Sequence, residues 1–166
     1  MKKFSLVIIA IVVAGSFASA HVLGMPDVTT ISVNCPAAQS ILNQIQKADT
    51  GSRINRGHDY NEMLDLMFAM NARLSVNKIA APALTSLALQ FEQNLQKFRN
   101  DYNNYDDIIA SALDIKCTNR PIDFYNKLEM VRAARDLLRQ DTVILSQNID
   151  NYYTEFNLVI EEAGRW

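Results

Sequence analysis

Cys35 and Cys117 are the only thiols in this chain of 166 residues, and His21 and His58 are its only imidazoles. A nucleophilic cysteine needs a base beside it, and a structural zinc site needs four Cys, His or carboxylate ligands. Asn34-Cys35-Pro36 and Lys116-Cys117-Thr118 bring no further ligands with them, so the two cysteines read as each other's partners. Outside the cytoplasm a lone pair of thiols in one small chain is oxidised together, which predicts a disulfide between Cys35 and Cys117.

Such a compartment is what the N-terminus points to. Met1-Lys2-Lys3 is a positive start, Phe4 to Ala14 is almost wholly apolar, and Ala18-Ser19-Ala20 is a small-x-small cleavage pattern. Together they predict a secretory signal over residues 1–20, cleaved after Ala20, and an exported protein that is extracellular or envelope-associated. The apolar run is shorter than the roughly 20 residues that span a bilayer, which favours a cleaved leader over a membrane anchor.

Other reactive groups offer less. His58, Glu62 and Asp65 are spaced by four and three and share a helix face, an arrangement that suits a metal, but a di-iron bundle needs Glu-x-x-His pairs on two helices and none occurs. They read as a solvated face. Asp101-Tyr102-Asn103-Asn104-Tyr105-Asp106-Asp107 opens like a calcium loop, yet its sixth position is Asp106 where glycine is needed and its twelfth is Ala112 where glutamate is needed. No G-x-S-x-G, glycine-rich phosphate loop, H-E-x-x-H or C-x-x-C is present. The expectation is therefore a protein with no catalytic residues, no cofactor and no metal. With 16 basic residues against 18 acidic ones, and neither sign gathered into a run, a nucleic-acid partner is also disfavoured.

The elements that hold these residues are helices. Five glycines and four prolines are too few turn signals for a many-stranded fold. Pro36, Pro82 and Pro121 each precede a long amphipathic stretch, where a missing N–H costs nothing. In the second stretch Leu84, Ala88, Phe91, Leu95, Phe98, Tyr102, Tyr105, Ile109 and Ala112 recur at alternating steps of four and three, a sustained heptad seam. The third carries Phe124, Leu128, Val131, Leu138, Leu145, Ile149, Tyr152, Phe156 and Val159, interrupted only at Arg135 and Thr142. The first is apolar at both ends and polar from Asp49 to Asp59, around Gly51 and Gly57.

A crosslink at the open end of a hairpin puts the bend midway between its cysteines, near Val76, where the heptads pause before Pro82. The predicted fold is all-α: an elongated, up-down-up, three-helix antiparallel coiled-coil-like bundle over residues 35–166, with one disulfide and helices at about 36–78, 82–116 and 121–162. Residues 21–34, which include Pro26 and lack a helical period, read as an extended N-terminal arm. The first helix is expected to run through Gly51 to Gly57 with a kink or bulge.

Matching Pro36 to Pro121 sets residue n of the first helix level with n + 85 of the third. Asp49, Arg53, Arg56 and Asp59 then lie beside Arg135, Asp136, Arg139, Asp141 and Thr142. This is either a solvated polar waist that fixes register or a small cleft. Met63, Met67 and Met70 form a soft stripe on the first helix. Tyr152, Tyr153, Phe156 and Trp166 are candidates for partner binding wherever the bundle leaves them uncovered, Tyr153 most of all because it stands off the seam.

The leader, the early Cys35, Leu84 to Phe98 followed by Asp101-Tyr102-Asn103-Asn104-Tyr105, Cys117, and Pro121-Ile122-Asp123-Phe124 with Val131-Arg132-Ala133-Ala134-Arg135 resemble uncharacterised small exported helical proteins of Saccharibacteria and other candidate-phyla bacteria. The resemblance covers most of the chain after the leader. It implies an exported bundle and no particular ligand. The functional expectation is a non-enzymatic module that binds a protein or cell-envelope component, self-association included. The alternative is an extracytoplasmic small-ligand or metal-binding protein that uses the waist.

Overall fold

The computed structural model describes residues 27–164; the expected signal peptide, the first part of the expected arm and Trp166 lie outside them. Three helices follow in order: α1 over Val28–Val76, α2 over Pro82–Leu113 and α3 over Pro121–Ala163. They run up, down and up, and no strand occurs among the described residues. At about 1.5 Å per residue, the 49 residues of α1 make a rod of roughly 70 Å.

Pro82 and Pro121 occupy the first turns of α2 and α3, where proline is harmless. Pro36 does not start its helix. α1 begins at Val28, so residues 28–34 are helical rather than an extended arm, and Pro36 lies inside the helix. The reason is tertiary: Ile31 and Cys35, one turn apart, are both buried, and the cystine anchors the turn before the proline. α2 also stops at Leu113, three residues short of the expected Lys116. The α1 end is closed by a Schellman arrangement, with Ile79 N–H donating to the Leu74 carbonyl, Lys78 N–H to that of Ser75, and Lys78 in the left-handed region at φ 60°.

The core is built on α2. All nine residues of its seam are buried, and α3 meets them with Phe124, Val131, Ala134, Leu138, Leu145 and Tyr152. α1 is different: it buries only Ile31, Cys35, Leu42, Met67 and Leu74, with none between Leu42 and Met67. It is held at one end by the Cys35–Cys117 disulfide and at the other by the turn into α2. Between them Ile45, Tyr60, Met63 and Leu64 pack on the core only partly buried. The middle of α1 is nevertheless continuously α-helical through Gly51 and Gly57, without the expected bulge, and neither glycine has a positive φ.

Cross-helix bonds report the register. Tyr152 Oη donates to the Met67 carbonyl, 85 positions away, and Arg135 pairs with Asp49, 86 positions away. α1 and α3 therefore lie in parallel with the offset that the two prolines imply.

Candidate functional site

The waist opens into a cleft. Asp49, Ser52, Arg53 and Arg56 of α1 and Arg135, Asp136, Leu138, Arg139 and Thr142 of α3 wall a cavity of about 430 Å³, and Phe98, Tyr102 and Tyr105 of α2 line it too. That volume is within the range of small-ligand sites. The cleft exists because the seam positions of α3 that face α1 carry Arg135 and Thr142 where Leu128 and Ile149 stand on either side, while α1 answers with polar residues at the same level. Two helix faces that cannot close dry leave a gap over the aromatic seam of α2.

Asp49 is the junction of the three helices. Its Oδ2 accepts a 2.5 Å hydrogen bond from Tyr105 Oη on α2, and its Oδ1 receives Arg135 Nη2 of α3 at 3.2 Å. Burial, and then donation to the Asp49 carboxylate, hold the Tyr105 phenol well above its ordinary titration range. Arg53 stacks its guanidinium 4.5 Å from the centre of the Tyr102 ring. Arg139 faces Asp136 at 3.8 Å. Neither Arg53 nor Arg56 has a carboxylate partner among the described residues. Four guanidinium groups thus share the cleft with two carboxylates. The Tyr102 hydroxyl is buried and meets no partner in hydrogen-bonding geometry, although Thr50 lies close enough to bias its titration downward against the dominant effect of burial.

Immediately along the same α1–α3 groove lies an apolar slot of about 340 Å³. Ala38, Ile41, Leu42 and Ile45 form one wall, Leu128, Val131 and Arg132 the other, and Arg135 closes it toward the cleft. The sequence signal for this slot is the apolar run Ala38, Ile41, Leu42 and Ile45 of α1, which lies outside the expected waist. A third cavity, about 520 Å³ at the α1–α2 turn, is lined mainly by the turn itself and brings no cluster of reactive groups together.

Two of the expected waist residues are elsewhere. Asp59 is exposed, turned about 100° from the inward Tyr60, which packs edge-on against Phe91 and Phe98. Asp141 is buried on the other flank of α3 against α2, where its Oδ1 accepts from Lys97 Nζ at 2.6 Å; the same ammonium reaches Asp101 at 2.5 Å. Burial is the main cause that pushes the Asp141 carboxyl above its usual range, and hydrogen bonds to Asp101 and then Asp141 raise Lys97. The single-residue step from Thr142 to Asp141 crosses from the α1-facing seam to the α2-facing one, which the waist reading did not separate.

The aromatic group also divides. Tyr152 is a core residue, not a surface one: it is buried, donates to the Met67 carbonyl and Asn71 Oδ1, and stacks on the half-buried Phe156. Tyr153 is 66% exposed. Met67 is core, with Met63 and Met70 partly covered. His58 and Glu62 form an exposed pair at 3.1 Å that does not include Asp65. The Asp101 to Asp107 segment is ordinary α2 helix.

The fold and the cleft define a class: a disulfide-closed three-helix rod with a basic waist. No protein family, curated protein or solved structure matches the chain.

Proposed function

We propose that this chain is an exported, non-enzymatic interaction module that engages a protein or envelope component along the flank of α3 that borders α2. The observation that carries the reading is a line of apolar residues, Met130, Leu137, Ile144 and Leu158, repeating every seven residues on a helix whose core face is already occupied by α2 and α1. Met130, Ile144 and Leu158 are exposed and Leu137 is half-covered. The line runs about 42 Å, and the one polar member of the series, Asn151, is the kind of residue that sets register in a coiled coil. A helical partner is the natural occupant of such a stripe. Tyr153 and Ile160, also exposed and seven residues apart, extend the apolar surface on the opposite flank.

Export is supported by the leader-like N-terminus and by the buried cystine, which persists in oxidising compartments. No helix among the described residues is long and apolar enough to cross a membrane.

The test is the triple variant Met130→Ser, Ile144→Ser, Leu158→Ser. It is expected to keep the melting temperature of the parent within a few degrees while losing its higher sedimentation mass or its crosslinked partner on intact cells. Equal mass and equal crosslinking in parent and variant overturn the proposal.

A further inference from the structure

The basic cleft and the apolar slot are two parts of one groove between α1 and α3, and they meet at Arg135, which lines both. Along α1 the wall changes within one turn from Ile45 to Asp49; along α3 it changes from Val131 to Arg135. An apolar trough that ends in guanidinium groups is complementary to a molecule with an apolar tail and an anionic head. We propose that this groove binds a single-chain fatty-acid carboxylate, with its head among Arg53, Arg56 and Arg139 and its tail entering the near end of the slot between Ile45 and Val131.

Two observations select this occupant. The head site has an excess of positive charge, and Arg53 and Arg56 have no carboxylate of their own, so an incoming anion does not have to displace an internal one. There is one apolar slot beside the head site, and its near end at Ile45 lies about 12 Å along α1 from Arg53, which suits one chain of medium length and leaves a second acyl chain of a membrane lipid without a place. The groove is also the part of the bundle best able to admit a ligand, because α1 buries no side chain completely between Leu42 and Met67. This site is separate from the apolar line on α3, so each proposal stands or falls alone.

The test is calorimetric titration of the protein expressed from the full 166-residue chain with decanoate, below its micelle concentration. Saturable one-to-one binding is expected. It should weaken at least tenfold in Arg53→Gln with Arg139→Gln, and at least tenfold in Ile45→Phe, which fills the near end of the slot. Ile41→Glu puts a charge at an exposed edge of the same wall, one turn from the end of the tail, so it gives the same loss even if Ile45→Phe disturbs folding. Arg73→Gln, in the last turn of α1 and remote from the groove, should bind as the parent does. Decanol and acetate, which keep only tail or only head, should each bind at least tenfold more weakly. Absence of decanoate binding, decanol or acetate binding as tightly, an equal loss in Arg73→Gln, or capture by anionic phospholipid vesicles with no binding of free decanoate would each overturn the proposal.

Discussion

Removing the disulfide, as Cys35→Ser with Cys117→Ser, should free one end of the bundle and leave the rest standing. The crosslink joins positions 82 apart in sequence, and closing a loop of that length in the unfolded chain is worth about 4.5 kcal/mol in the chain-entropy treatment. For a domain of this size that corresponds to a fall in Tm on the order of 10 to 20 °C if the whole bundle unfolds as one unit. The distribution of buried residues argues that the loss is local instead. Near the cystine α1 is tied down only by Ile31, Cys35 and Leu42, and the next fully buried side chain is Met67. α2 and α3 meanwhile share a core that runs the length of both. Hydrogen exchange read by mass spectrometry should therefore show amides from Val28 to about Tyr60 losing protection first in the double variant. Amides of α2 and α3 should keep theirs until a higher denaturant concentration. Uniform loss across all three helices, or unchanged exchange in α1, would refute the view that the cystine substitutes for apolar burial at this end.

Gly51→Ala and Gly57→Ala should each stabilise the protein by about 0.5 to 1 kcal/mol, measured by urea denaturation, since a Cβ at either position meets nothing within 4 Å and both are interior to α1. Tyr152→Phe should cost about 1 to 2 kcal/mol by the same assay, because it removes the hydroxyl that ties α3 to Met67 and Asn71 of α1. Asp141 has a folded-state pKa raised above the ordinary 3.8, so its ionisation costs stability progressively as pH rises from that value through the folded one, and the cost is absent below. Relative to the parent, Asp141→Asn should thus gain in Tm between pH 3.5 and pH 7; a relative loss over that interval would mean that the Lys97 ion pair outweighs burial.

The helical architecture was legible because each device that encodes it is local or periodic. The α2 seam from Leu84 to Ala112 needs only the heptad repeat, and Pro82 and Pro121 mark helix starts by the missing N–H alone. The topology followed from one long-range constraint, the pairing of Cys35 with Cys117, which puts the bend near Val76 and leaves α3 parallel to α1. Where tertiary burial overrides a local signal, the reading failed. Pro36 looks like a start, yet the helix continues back to Val28 because Ile31 and Cys35 have a core to enter. Gly51 and Gly57 suggest a bulge in a continuous first helix, and the helix is continuous but α-helical through both.

The candidate site was half visible for the same reason. Register alone brings Asp49, Arg53, Arg56, Arg135 and Arg139 to one level, since it depends only on helical rise and the two prolines. Which side of α3 each polar residue takes is settled by its neighbours: Thr142 turns to α1, and Asp141, one position earlier, is buried against Lys97 of α2. Tyr152 and Tyr153 part in the same way, one into the core and one into solvent. The sequence by itself determined three helices, their direction, their offset and their crosslink, because periodicity and covalent constraint act along the chain. Only the tertiary structure decided that the polar level is an open groove joined to an apolar slot, because a cavity is a property of two surfaces that fail to meet.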